Sequence, residues 1–496
     1  MGPSSIIRRS LIAAIALLAT TTGVAAASTA TPGIYEVWGS TSDVAHRSYV
    51  QGGQVVVQWK DVEPQRGTFD WSSLYSQLDA YHAMGKDATV QINSTTAKPA
   101  WVWNLVARCG TVHGQAVPQY WDPIYLTLQQ ELVDGLATAI RSYAHPDTVA
   151  LVRANPNAIG AELTMLPSNS RCSPTLSGHI ASGGWSKTVA HTYFRNVMDA
   201  YRTALLPDIH VALRTEVFVT DGAPLTWLGA GGAWIMGTGS DIDYNPTRDA
   251  FDVFAHRYDS NGTTTGYWEP LPYEGHHNLV SWNYWRILLE LYKGVSYIAV
   301  YGDQIRQGGN TQYRAAFDFA NRFAGSAATP ATAPGAFIAL KQGRGRTAGN
   351  LGRFMVQYEP NTTSTPLDSN QGSNMIGPAA QRFGRYARRI NGGTARSWMG
   401  FELNPDFAAG VAGQKVVISV RYLDSGHGRF RVAWGRSTAA QRTVTKRGSG
   451  TWRVARFAVP AAAFNRRLAH SCDISLKALG ASKDVFHMVE VNVPGR

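Results

Sequence analysis

The chain has 496 residues, 44% hydrophobic and 16% charged, with three cysteines and a formal net charge of +12. That length buries large cores without covalent staples, which excludes a small disulfide-framework protein. The excess of arginine is dispersed through residues 306–467 without a dense basic stripe, and no helix-turn-helix, RNA-recognition or zinc-finger signature occurs, which argues against nucleic acid as a partner.

In chain order, Arg8 and Arg9 precede the apolar run LIAAIALLA and the small residues VAAAS. This layout predicts a secretory signal peptide over residues 1–27, with the mature chain secreted, either extracellular or held at the cell wall. The apolar run is too short to span a bilayer, and no later segment approaches ~20 consecutive apolar residues, so no membrane span is predicted.

From residue 33 to about 305, eight short apolar runs alternate with helical segments. The runs are IYEVWG (34–39), QVVVQWK (54–60), DATVQIN (87–93), AIGAEL (158–163), HVALRTEVF (210–218), SDIDYN (240–245), TGYWE (265–269) and SYIAVYG (296–302). Between them, Leu128, Leu132, Leu136, Ile140 and Tyr143 mark one helix face, and Leu279, Trp282, Trp285, Leu288, Leu289 and Tyr292 mark another. Eight strand–helix units over ~270 residues predict an α/β fold, a (β/α)8 TIM barrel at residues 28–325. Cys109 and Cys172 follow the third and fourth runs, and in an oxidising compartment they are expected to join two loops as a disulfide. Cys472 is left over, and no Cys/His spacing resembles a metal site, so neither metal nor cofactor is expected.

The stretch AGSAATPATAPG cannot continue a helix and predicts a linker at residues 326–336. Beyond it, alternating runs such as VVISVRYLD (416–424), RFRVAWG (429–435), TWRVARFAV (451–459) and VFHMVEVNV (485–493) predict an all-β sandwich, jelly-roll-like, over residues 337–496.

In a barrel of this kind the reacting groups belong at the carboxyl ends of the strands. Glu162 ends the fourth run, Glu216 lies at the end of the fifth, and Glu269 ends the seventh, with Glu274 in the loop beyond. Trp59, Trp101 and Trp268 sit at or just after strand ends, where an indole can stack on a sugar ring while Asn93 and Tyr301 bond its hydroxyls. Glu63 reads as a structural residue closing the turn before the second helix.

These residues resemble the clan of TIM-barrel retaining glycoside hydrolases that includes the β-galactosidase-like families. The segment WKDVEPQRGTFDWSSLYSQLDAYHAMGKDATVQI (59–92) is similar to their W-x-x-x-E-P-x-x-G-x-F-D-W segment, and TTAKPAWVW (95–103) to the Pro/Trp loop after their third strand. The resemblance implies Glu162 as general acid and base and Glu269 as nucleophile; Glu216 and Glu274 are read from their places as substrate contacts, with each left open as an alternative nucleophile. It implies an oligo- or polysaccharide substrate from a plant, alga or microbe. The sequence departs from the clan at Ala161, where most families carry an asparagine. That departure leaves a second reading open, a glycan-binding or wall-associated protein on a barrel that has lost catalysis. The C-terminal segment resembles the modules that accompany secreted carbohydrate-active enzymes, with Trp434 and Trp452 equally suited to core or ligand platform.

Overall fold

The computed structural model describes residues 30–94, 97–106, 108–112, 115–119, 121–154, 187–214, 234–238, 266–269, 279–309, 311–341, 350–358, 364–368, 383, 386–391, 397–480 and 483–496. Eight parallel strands close into a barrel: β1 (Gly33–Val37), β2 (Gly52–Gln58), β3 (Asp87–Asn93), β6 (Val149–Arg153), β7 (Val211–Arg214), β8 (Trp234–Thr238), β9 (Gly266–Glu269) and β10 (Tyr297–Tyr301). β1 pairs with both β2 and β10, which completes the ring. β4 (Arg108–Val112) and β5 (Gln115–Pro118) form an antiparallel hairpin between β3 and the next helix.

Alternation sets which side chains face the helices. In β3, Ala88, Val90 and Ile92 enter the outer core beside Val55 and Val57 of β2, which leaves Thr89, Gln91 and Asn93 for the lumen. Tyr35, Val37, Leu151, Ala212, Tyr297 and Ala299 pack together inside. The N-terminal end of the lumen is closed by Tyr35 and Tyr297, edge to face at 5.4 Å, with Tyr35 donating to Asp87 Oδ2 at 3.1 Å and Tyr297 to the Ala30 carbonyl at 3.2 Å.

Two strands differ from the sequence reading. The fourth is Val149–Arg153, in register with β3 through Val90 and Val152 and with β7 through Val152 and Val211. AIGAEL follows it and lies outside the described residues. The preceding helix ends at Ser142 and a 3-10 turn at Pro146–Thr148 delivers the chain straight into VALVR. Short helix-to-strand connections of this kind are the norm, and a fourth strand at AIGAEL would need a much longer one. The sixth strand is Trp234–Thr238, bonded between β7 and β9, whereas SDIDYN lies beyond it and outside the described residues.

The helix Pro123–Ser142 follows the expected pattern. Asp122 caps it by accepting from the Ile124 amide at 2.8 Å, proline opens it, and Leu128, Leu132, Leu136 and Ile140 are buried on one face. The helix Leu279–Lys293 is buried on more than one face. Trp285, Leu288 and Leu289 are inaccessible, but so are Asn283, Arg286 and Glu290, and the Arg286–Glu290 ion pair at 3.0 Å is fully shielded from solvent.

The cover on its far side is the second half of the chain, whose described strands all pair antiparallel. One sheet contains β11 (Gly335–Ala339), β12 (Leu351–Arg353), β14 (Ser364–Asp368), β15 (Tyr386–Ile390), β17 (Val416–Leu423), β20 (Trp452–Val459) and β22 (Val485–Asn492). The other contains β13 (Met355–Tyr358), β16 (Trp398–Leu403), β18 (Arg429–Ala433), β19 (Gln441–Thr445) and β21 (Ile474–Leu479). Ile338, Ile418 and Val489 from the first sheet meet Phe401, Phe430 and Leu476 from the second in one core, so the two sheets form a sandwich.

A second contact joins the sandwich to the barrel. Trp285 packs at 4.8 Å from both Tyr386 and His487, Tyr284 bonds His487 Nε2 at 3.0 Å, and Phe319 and Phe323 meet Phe337 at 4.9 and 4.8 Å. The connection between the halves is itself packed: Ala333 is buried, and the Pro334 carbonyl accepts from Arg322 and from the Val493 amide. Among the described residues no helix is long and apolar enough to cross a membrane.

Candidate functional site

Glu269 is the last residue of β9, the seventh barrel strand, and is in register with Thr238. Its position has the parity of Tyr267, which pairs with the lumenal Tyr297, whereas Trp268 pairs with Ile298 of the outer core. Asn93 ends β3 in register with Gln58, is nearly inaccessible, and accepts from Gln91 Nε2 at 2.8 Å. Arg153 ends β6 and is fully buried, and Tyr301 ends β10 half-buried in register with Val37. The described part of the mouth therefore carries amide and guanidinium groups at the consecutive ends of β2, β3 and β6, and a phenol at the end of β10. Glu162, Glu216, Glu274 and Cys172 lie outside the described residues, and in chain order Glu162 follows β6 and Glu216 follows β7. Cys109 lies in β4.

Trp59 does not present a face to a ligand. It opens the helical turn Trp59–Val62, has no accessible surface, meets Trp101 edge-on at 6.0 Å, and donates its indole N–H to Glu63 Oε2 at 2.7 Å. Glu63 is the organiser of this segment. Its other oxygen accepts from the Gly67 amide at 2.8 Å and its carbonyl from the Trp101 indole at 3.0 Å, so one buried residue, through side chain and backbone, ties strand end, turn and Pro/Trp loop together. Gly67 has a φ of +74°, which a side chain would strain. Trp101 remains half-buried, its N–H engaged.

Two buried ionisable groups near the carboxyl ends of the strands went unread in the sequence. Lys98, in the loop after β3, is buried between the rings of Trp103 and Tyr125 at 5.6 and 5.4 Å, and burial pushes its ammonium well below the ordinary lysine range. Glu36, near the end of β1, is 2% exposed, and its Oε1 has no hydrogen-bond partner. The Gly39 and Gly302 backbones press together beside it: a Cβ at Gly39 would collide with Glu36 Oε1, and one at Gly302 would fall 2.7 Å from the Gly39 α-carbon. Asp43 faces the same point and is paired with Arg306 at 2.9 Å. The signal that could have found Glu36 was present, since it is the one acidic residue inside the IYEVWG run.

Burial, and then the neighbouring Asp43 charge, push the Glu36 carboxyl up to about 7, against the pull of the Gly39 amide, Arg153 and Arg306. The phenol of Tyr81 faces the same group and is itself pushed above its ordinary range by burial. A carboxyl raised on folding binds its proton more tightly in the native than in the unfolded chain. The native state is then favoured at low pH, and this contribution is lost as pH rises from about 4.5 through about 7. Glu36→Gln removes the buried charge, so the variant is expected to gain on wild type as pH rises, by up to ~3 kcal/mol at pH 8 and little at pH 5. Thermal unfolding at both values checks this, and an equal difference in midpoint at the two pH values would overturn it.

Among the described residues no group of three or more His, Cys, Asp or Glu is arranged to hold a metal. Cys472 is a buried free thiol, which burial pushes up to about 12.

Neither a protein-family model nor a curated protein matches the chain. Among solved structures it is similar to the catalytic domain of β-amylase from Paenibacillus polymyxa, at 11% identity and a TM-score of 0.41, over 60% of this chain and 98% of that one. It is also similar to xylanase B from Clostridium stercorarium F9, at 14% identity and a TM-score of 0.32, over 55% of this chain and 86% of that one. A third is GH5_18 from Bifidobacterium longum, at 8% identity and a TM-score of 0.33, over 53% of this chain and 63% of that one. With every TM-score below 0.5, these likenesses carry nothing about the chemistry of this chain, which has to be read from its own residues.

Proposed function

We propose that the chain is an exported glycoside hydrolase that cleaves O-glycosyl bonds in a plant, algal or microbial glycan by double displacement. Glu269 attacks the anomeric carbon as nucleophile. Glu162 first protonates the leaving oxygen and then, as a carboxylate, takes the proton from the water that releases the sugar. The observation that carries this reading is the position of Glu269. It ends the seventh strand of a closed parallel barrel, with lumenal parity, in a mouth whose other strand ends bear Gln58, Asn93, Arg153 and Tyr301. A carboxylate there meets the requirement for a nucleophile at the carboxyl end of a strand, and the surrounding amides and phenol suit a polyhydroxylated substrate better than an apolar one.

The two carboxyls must hold different protonation states at working pH, and mutual repulsion at the ~5–5.5 Å separation of a retaining pair drives their pKa values apart. A screen of aryl glycosides and polysaccharides is expected to find a substrate for the wild type. Glu162→Gln should lose ~10²–10⁴-fold on substrates with poor leaving groups and far less on activated aryl glycosides, which need little protonation. Absence of turnover on every glycan tested, with binding retained, would favour the alternative of a non-catalytic glycan-binding barrel. Ala161, in the place where the similar clan carries asparagine, is the feature that speaks for that alternative.

A further inference from the structure

The sheet formed by β13, β16, β21, β18 and β19 buries one face, through Met355, Met399, Phe401, Ile474, Leu476, Phe430 and Val432. Its other face is built from two cross-strand rows. Trp398, Lys477, Arg431 and Thr443 are successive register partners, and so are Tyr358, Gly400, Ser475, Ala433 and Gln441. Directly opposed residues in an antiparallel sheet hold their side chains on the same face, with Cβ atoms ~4.5–5.5 Å apart. Trp398, Lys477 and Arg431 therefore stand side by side, and the last two are exposed.

The aromatic end of this row is flat. A Cβ at Gly400 would collide both with the Trp398 ring and with the Cys472 sulfur, so the position admits no side chain. Tyr358 lies 6.2 Å from Trp398 with the rings 11° from parallel, and the His470 imidazole stacks on both, at 4.9 and 5.1 Å. Next to the stack is a cavity of about 320 Å³, whose lining includes Trp398, Leu468, Ala469, Arg431, Gln441 and Lys477. The charge on its walls has one sign. The charged residues that line it are Arg431 and Lys477, and β18, β19 and β21 contain no aspartate or glutamate. On β16, Glu402 already faces Arg466 at 4.0 Å.

We propose that this groove is a second carbohydrate-binding site, separate from the barrel mouth and selective for acidic polysaccharide. A sugar packs against the edge of Trp398 that lines the cavity, beside the His470 stack, while its carboxylate or sulfate lies between Arg431 and Lys477. Three features select this occupant. The part of Trp398 that lines the cavity, beside amide and hydroxyl groups, offers apolar surface for the C–H groups of a sugar while its hydroxyls find Gln441 and Ser475. Adjacent uncompensated cations would repel each other in an empty groove and are relieved by an anion. A neutral glycan would leave both of them unused. The proposal rests on the carbohydrate reading of the whole chain and adds to it the class of glycan and the place where the sandwich holds it.

The test uses the full-length chain and measures binding, so that it is independent of turnover. Isothermal titration with polygalacturonate and with a sulfated galactan is expected to give saturable binding at low ionic strength, with neutral amylose and xylan bound at least about tenfold more weakly at this site. Affinity for the acidic chains should fall with added salt. R431E/K477E should reduce binding of the acidic polymers by about tenfold or more with an unchanged melting temperature, because both side chains are exposed. Trp398→Ala should reduce it without altering the salt dependence. Binding that R431E/K477E does not change, equal binding of neutral chains, or equally tight binding of a single-stranded oligonucleotide would each overturn the proposal. If R431E/K477E loses the acidic polymer while the wild type cleaves no glycan, the groove stands and the hydrolase reading falls. If cleavage is found and the groove variants bind as wild type, the reverse holds.

Discussion

Replacing Glu269 by glycine is expected to lower turnover by on the order of 10³-fold or more, and added azide or formate to restore cleavage with inverted configuration at the anomeric carbon. The expectation follows from the mechanism's two separable needs. Removing the nucleophile leaves the acid that protonates the leaving group, and glycine leaves a space in which a small anion can attack from the face the carboxylate had occupied. The product of that attack is a glycosyl azide or formate rather than the enzyme-bound sugar. Glycine at the end of a strand weakens the local backbone by roughly 0.5–1 kcal/mol, so a Glu269→Gln variant with the same side-chain volume is the control for folding. It should be as inactive as the glycine variant and should not respond to azide. Rescue at Glu274→Gly or Glu216→Gly, with Glu269→Gly near normal, would move the nucleophile off β9 and leave the two-carboxylate scheme intact. A first wild-type product of inverted configuration, followed by proton NMR, would instead mark the pair as the acid and base of an inverting enzyme with a water between them.

The parts of the barrel that were legible in the sequence are those whose strands carry their own punctuation. DATVQIN spans β3 from end to end because Asp87 and Asn93 bound an alternating run, and TGYWE and SYIAVYG overlap β9 and β10 closely. VALVR escaped because it is short and enters directly from a 3-10 turn, with AIGAEL offering a second apolar run just downstream. WIMGT escaped because glycines precede and interrupt it, which reads as loop. At the mouth, the strand-end rule locates residues along the chain but not the direction in which the chain turns next. Trp59 follows β2 immediately, as a stacking residue would, yet the backbone turns into a helix and carries the indole inward to Glu63. Glu36 was hidden for the opposite reason. Its environment is made by Gly39, Asp43, Gly302 and Arg306, and the last two follow β10, which lies beside β1 in the barrel but is its last strand in chain order, so no local pattern in IYEVWG announces them.

Trp285→Ala is expected to destabilise the barrel and the sandwich together, by ~3–5 kcal/mol, a large share of the ~5–15 kcal/mol that holds a folded protein. Helical spacing assigns Trp285 to the face that packs on the barrel, but its ring also lies against Tyr386 and His487 of the sandwich, at right angles to the first and near right angles to the second. The same core continues through Phe319, Phe323 and Phe337 and reaches Met488. A cavity at Trp285 would therefore remove contacts from both halves. It would also loosen the cover over the shielded Arg286–Glu290 pair, whose charges rely on being bonded to one another and to Asn283 once water is excluded. Scanning calorimetry of the full-length chain should show one cooperative transition in the wild type that moves down as a unit in Trp285→Ala. A chain ending at residue 325 should melt well below the full-length protein or fail to stay in solution, because ending there exposes Trp285, Phe319 and Phe323 at once. Two separate transitions, of which Trp285→Ala moves only one, would show that the halves fold independently and that their shared core contributes little to either.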